Sequence, residues 1–87
     1  MAAIAAIIAG IILKINPFEW SLLTLMIGIV FLTELLNSSL EALADIVDPE
    51  LNENIRKAKD YAAAAVLISA TISVVVGALI FVPKIFK

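Results

Sequence analysis

The chain contains no cysteine and no histidine. Their absence excludes disulfides, thiolate chemistry, zinc sites and every nucleophile built on a Ser-His or Cys-His pair. Charge is also scarce. Asp, Glu, Lys and Arg make up 16% of the 87 residues, against about 25% in an ordinary soluble domain. Six basic and eight acidic residues give a net charge of -2. With no basic tract, nucleic-acid binding has no electrostatic support. Any metal would have to be a hard cation on oxygen ligands, which points to magnesium-type chemistry. No Gly-rich loop ends in Lys-Ser or Lys-Thr, and no kinase catalytic-loop signature occurs. A nucleotide would therefore need a helix-built site unrelated to those folds.

What the chain has in excess is apolar side chain, 63% of its residues, where a soluble domain carries about 45–50%. A chain this short is mostly surface and cannot hide so much of it. The composition predicts one integral membrane domain over residues 1–87, all-α, with three transmembrane helices. Helix one is expected at about 2–15, helix two at about 17–47, an aqueous connection at about 48–56, and helix three at about 57–82.

Ala2 to Leu13 is unbroken apolar sequence. As a helix it would be about 18 Å long, short of the ~30 Å hydrocarbon core. It lacks the basic n-region and small-residue cleavage site of a signal peptide, so it reads as a short or truncated membrane helix. Asn16-Pro17-Phe18-Glu19-Trp20 reads as a helix start. Asn16 is the N-cap, Pro17 the first helical residue, Glu19 the charge favoured at the dipole's positive end, and Trp20 an interfacial anchor. Tyr61 to Val82 is uncharged for 22 residues, about 33 Å of helix. Within it Ala65, Ser69, Ser73 and Gly77 recur at every fourth position, a spacing that lets helices approach closely in lipid. That contact could serve packing within one subunit or between subunits. Pro83 to Lys87 reads as an interface anchor. Lys14, Lys84 and Lys87 on one side balance Arg56, Lys57 and Lys59 on the other, so positive-inside counting leaves the orientation open.

Helix two carries the one unusual pattern. Its first half is free of charge, but Glu34, Asn37, Glu41 and Asp45 follow among leucines and alanines. At ~100° per residue these four lie within about 80° of one another. Each ionisable residue inside a membrane costs about 2.5–3.5 kcal/mol on insertion scales. Glu34 should lie within the hydrocarbon slab, with Glu41 about 10 Å further along and Asp45 near water. Magnesium and nucleotide phosphates would supply partners for such a stripe. A subunit interface, a helix end emerging into water, or a small ion or proton carrier using Glu34 would also be consistent with it. Taken singly, Asp45, Asp48, Glu50 and Glu53 read as solvated loop charges. Arg56 and Lys57 read as headgroup contacts.

Glu34-Leu-Leu-Asn37-Ser-Ser-Leu-Glu41-Ala-Leu-Ala-Asp45, then Ala58-Lys59-Asp60 and the alanine-rich third helix, resemble the small prokaryotic diacylglycerol kinase/undecaprenol kinase family. The family pattern is E-L-L-N-[ST]-A-[IL]-E-x-x-x-D followed by A-K-D. Ser39 stands where alanine is usual. The resemblance runs from about Ala2 to the C-terminus. It implies three transmembrane helices per subunit, a homotrimer, and active sites shared between subunits at the cytoplasmic face of the bacterial inner membrane. It also implies transfer of the γ-phosphate of MgATP to a membrane lipid hydroxyl.

Carried over by residue, the resemblance makes Glu34 the general base and Glu41 a ligand of the Mg2+ on the ATP phosphates. Asn37 becomes the amide at the heart of the site. Asp45 belongs to the same nucleotide- and substrate-binding motif, and Lys59 and Asp60 become a nucleotide-binding pair. The ending Gly77-Ala-Leu-Ile-Phe-Val-Pro-Lys is similar to Gram-positive-type members, which tilts the acceptor toward undecaprenol over diacylglycerol. Family members also begin with an amphipathic surface helix that adds a metal-binding glutamate and an arginine near the nucleotide. This chain starts within helix one. The alternative expectation is therefore a truncated, catalytically weak or inert helical subunit of the same family.

Overall fold

The computed structural model describes residues 2–47 and 52–86. They form three helices: α1 (Ala2–Leu13), α2 (Pro17–Ala44) and α3 (Glu53–Ile85). Helices α2 and α3 lie side by side and antiparallel. Glu19 meets Lys84 at one end, and Thr33 meets Ser69 near the middle. The assembly is a rod of 55 × 19 × 17 Å. Helix α1 folds onto the end where α2 begins and α3 finishes. There Ile15, Leu23 and Ile80 are buried, with Ala6, Trp20, Ile27, Val76 and Phe81 packed around them.

Local chemistry explains each boundary. Helix α1 stops because Lys14 turns into the left-handed region at φ 54°. The Lys14 N–H then donates to the Ile11 carbonyl and the Ile15 N–H to the Gly10 carbonyl, at 3.3 and 3.2 Å. This is the Schellman arrangement, and it drives Ile15 back into the core. Gly10 makes the reversal feasible: a Cβ there would sit 2.8 Å from the Trp20 ring.

Helix α2 begins with the expected cap, completed as a capping box. The Glu19 N–H donates to Asn16 Oδ1 at 2.8 Å, and the Asn16 N–H donates to Glu19 Oε1 at 3.0 Å, satisfying two orphan donors reciprocally. The same Glu19 carboxylate pairs with Lys84 Nζ at 3.0 Å. Glu19 and Trp20 thus tie the helices together, a role beyond that of interfacial anchors.

Four boundaries differ from the sequence expectation, the first being the end of α1, which stops at Leu13 rather than 15. Helix α2 ends at Ala44, with Asp45 as its C-cap, three residues short of 47. The Ile46 and Val47 N–H groups bond only three residues back, to Leu43 and Ala44. No basic residue stands in the last turn, so Glu41 and Asp45 place like charge on the dipole's negative end. Helix α3 starts at Glu53, four residues before 57, because Asn52 caps the N–H groups of Asn54 and Ile55. Glu53 is accordingly a first-turn helical residue rather than a loop charge. Helix α3 also passes through Pro83 to Ile85. The proline removes one donor and little helix remains beyond it. The aqueous turn expected around Asp48, Pro49 and Glu50 falls at residues 48–51, outside the described residues.

Helices α2 and α3 are each long and apolar enough to cross a membrane, while the 12-residue α1 is shorter. Only 6% and 11% of the most apolar stretches of α2 and α3 are buried in the chain. Leu25, Phe31, Leu35, Leu67, Val74 and Leu79 are all more than half exposed. Water would not tolerate such a surface, whereas lipid or neighbouring apolar helices would.

Candidate functional site

The polar stripe occupies the second half of α2 and is divided by its neighbours. Glu34 and Glu41 are exposed, Asp45 is exposed at the C-cap, and Asn37 is half-buried. Glu34, Glu41 and Asp45 fall nearly in line along the helix, while Asn37 is turned about 60° from Glu34. That turn carries Asn37 into the seam with α3.

Glu34 stands in the wall of an open groove of about 400 Å³ formed by all three helices. The opposite walls come from Ala2, Ala3 and Ala6 of α1 and from Ser73, Gly77 and Phe81 of α3. Small residues keep the groove open, and a Cβ at Gly77 would touch nothing within 4 Å. The lining is almost wholly apolar, so a single carboxylate stands beside a channel suited to hydrocarbon.

Asn37 belongs to a second cavity, of about 500 Å³, between α2 and α3. Ala58, Ala62 and Ala65 leave this space, and Leu40 and Tyr61 border it. Asn37 Oδ1 is sequestered from solvent without a hydrogen-bond partner among the described residues. Leaving such an acceptor unpaired costs about 1–3 kcal/mol. Buried unpaired groups are rare in folded proteins, so this one calls for an explanation in strain, function or bound water.

Lys59 is half-buried and Asp60 exposed, both in the first two turns of α3. The antiparallel pairing brings this end of α3 beside the end of α2 that bears Glu41 and Asp45. The expected site residues therefore gather toward one end of the rod, with Glu34 deepest. They do not close into a cage: no group of three or more carboxylates that could hold a metal exists among the described residues. Glu41 offers one hard oxygen ligand. That fits magnesium, which usually takes one or two protein carboxylates and completes its shell with phosphates and water.

Thr33 carries no signal in the stripe pattern, and the small-residue spacing assigns Ser69 only close packing. Ser69 is the buried polar residue of α3, 6% exposed, and its hydroxyl lies 2.9 Å from that of Thr33. The small-residue column is thus used within the chain at Ser69, while space remains open at Gly77. Thr33 could have been noticed as a hydroxyl one turn before Asn37 in an apolar stretch.

The chain matches the family described as prokaryotic diacylglycerol kinase over residues 1–81. It is 39% identical over 84 residues to the undecaprenol kinase of Bacillus subtilis (strain 168), covering 97% of this chain and 68% of that one. It is 35% identical over 85 residues to the diacylglycerol kinase of Synechocystis, covering 97% of this chain and 49% of the relative. Identity to the diacylglycerol kinase of Escherichia coli (strain K12) is 32% over 75 residues, covering 86% of this chain and 62% of the relative. No solved structure matches.

Proposed function

The chain belongs to the prokaryotic diacylglycerol kinase family, and on that premise we propose that it transfers the γ-phosphate of MgATP to the hydroxyl of a membrane lipid alcohol. The observation that carries this reading is the Glu34 carboxylate in the wall of a largely apolar, open groove. A lipid alcohol has the matching form, a hydrocarbon body ending in one ionisable hydroxyl.

The chemistry follows from that placement. The lipid hydroxyl oxygen attacks the γ-phosphorus and forms a new P–O bond. The bond from the γ-phosphorus to the bridging oxygen breaks, and ADP leaves with that electron pair. The hydroxyl proton passes to Glu34, which acts as general base within hydrogen-bond reach of the acceptor. Phosphoryl transfer demands positioning and charge neutralisation more than covalent participation by the protein. Asn37 Oδ1 accepts a donor from the bound substrate, which supplies its missing partner. Lys59 sets its ammonium against phosphate oxygens, and Asp60 and Asp45 complete the polar end that receives the nucleotide. Glu41 is the residue that would hold magnesium. Bound there, the ion would supply neutralisation of charge developing on the phosphate oxygens.

The site operates in a homotrimer of the bacterial inner membrane, with the nucleotide end facing the cytoplasm. The acceptor is undecaprenol in preference to diacylglycerol, a reading supported by the tail of α3 and by the 39% identity to an undecaprenol kinase.

The test is Glu34→Gln, assayed in detergent micelles with a lipid alcohol and MgATP. Removing a general base should lower turnover by at least about 10²-fold while ATP binding stays intact. Turnover like that of the unaltered protein would remove Glu34 from the role of base. Glu41→Ala and Lys59→Ala, by contrast, should weaken MgATP binding, and unchanged affinity in both would contradict the nucleotide end described above.

A further inference from the structure

We propose that the Thr33–Ser69 hydroxyl pair positions the site, acting as a pin that sets how α2 is rotated and how far it is slid along α3; the inference rests on the kinase reading for its activity arm alone. Thr33 Oγ1 lies 3.0 Å from the Val30 carbonyl, Ser69 Oγ lies 3.0 Å from the Val66 carbonyl, and the two hydroxyl oxygens are 2.9 Å apart. Two protons serve these three contacts. One hydroxyl donates to its own helix while the other donates across the seam, in either sense. The pair is therefore complete without water or ligand, although Ser69 is buried.

Away from the Glu19–Lys84 ion pair at one end and Asn37 within it, the seam is made of interchangeable apolar surfaces. Such surfaces give cohesion in lipid but specify position weakly, whereas a polar contact between helices specifies it sharply. The consequence for the site is geometric. Thr33 facing α3 turns Glu34 by about 100°, out of the seam toward the groove, and brings Asn37 to within about 40° of the same face. Thr33 and Asn37 line one cavity. If the pin slipped by a turn, or α2 rotated by a residue, Asn37 and Glu34 would leave their two cavities together. Thr33 and Ser69 are positioning residues: neither is assigned a contact with substrate.

The experiment compares Thr33→Val, Ser69→Ala, the double variant and the conservative Thr33→Ser. Each hydroxyl deletion should lower kcat about three- to twentyfold, the range of a membrane interhelical hydrogen bond. KM for ATP should stay within about twofold, since uniform binding is untouched. The double variant should fall no further than the worse single one, and Thr33→Ser should recover most of the loss.

A second readout is independent of activity. The chain has no cysteine of its own, so Leu40→Cys can be paired with Ala58→Cys, Ala62→Cys or Ala65→Cys across the cavity that all four residues line. With Thr33 present, one pair should dominate oxidative cross-linking, and Thr33→Val should spread the yield over the three. Additive losses in kcat, or a cross-linking pattern that Thr33→Val leaves unchanged, would overturn the pin. If the unaltered protein phosphorylates no lipid, the kinase reading fails and the cross-linking pattern alone decides the pin.

Discussion

Asn37 is a half-buried amide whose oxygen has no partner among the described residues, in a cavity otherwise lined by alanine, leucine, threonine and tyrosine. A side chain kept for folding alone would be apolar there. Asn37→Leu removes the unpaired acceptor and keeps the approximate volume. It should raise the stability of the folded chain by about 1 kcal/mol, read as a higher unfolding midpoint in detergent, while phosphorylation is lost. A variant both less stable and fully active would show that the amide serves the fold and not the site. Sequence alone placed Asn37 on the stripe, because helical period fixes which residues share a face. It did not reveal that Asn37 turns into α3 while Glu34 and Glu41 stay exposed. That division depends on which part of the stripe α3 covers, and the covering is a long-range fact. The same holds for Glu19, whose cap with Asn16 was legible from a three-residue spacing but whose partner Lys84 lies 65 residues away.

At the scale of elements, the start of α2 was readable because Asn, Pro and Glu each favour one position of a helix N-terminus. The end of α1 was not. Lysine carries no preference for the left-handed region, yet Lys14 adopts φ 54° to close the turn. Glycine would meet no steric penalty there, and a left-handed non-glycine residue costs about 1–2 kcal/mol. Lys14→Gly should therefore stabilise the chain by up to about 1 kcal/mol, after the greater chain entropy of glycine is counted, as measured by unfolding in detergent. Gly10→Ala should act oppositely. Its methyl would sit 2.8 Å from the Trp20 ring, so about 1 kcal/mol or more of strain or displacement follows. As the chain has one tryptophan, its fluorescence reports the displacement directly. An unshifted spectrum with unchanged stability would contradict the packing described. The Asn52 cap that starts α3 early did have a sequence signal, an Asn ahead of Glu53 at the edge of the polar stretch. Its weight was hidden by the surrounding charges, which read equally well as loop.

For the whole molecule, the dominant physical fact is how little one chain buries. Ile15, Leu23, Ala44 and Ile80 are its buried hydrophobic residues among those described, while most large apolar side chains face outward. The membrane origin of that surface was legible in composition. Which parts meet lipid and which meet other helices was not, because both surroundings accept the same side chains. Carboxylates facing pure lipid would be costly, and in the proposed trimer a neighbouring copy would relieve that cost at the open groove beside Glu34 and at the exposed Glu41. Closed cyclic symmetry lets every copy use the same contact. Native mass spectrometry in mild detergent should show three times the 9.3 kDa chain mass. A stable monomer that phosphorylates lipid would contradict a site shared between copies.

Transfer of phosphate from ATP to lipid by this chain can be measured without an intermediary. The purified protein is reconstituted in mixed micelles with ATP labelled at the γ-phosphate and magnesium, and with undecaprenol or diacylglycerol in parallel. Organic extraction then separates lipid from nucleotide. Label should appear in the lipid phosphate fraction, more with undecaprenol than with diacylglycerol, and be lost in Glu34→Gln. A folded, ATP-binding protein that leaves the lipid fraction unlabelled with either alcohol would contradict it and identify the chain as an inert subunit of its family.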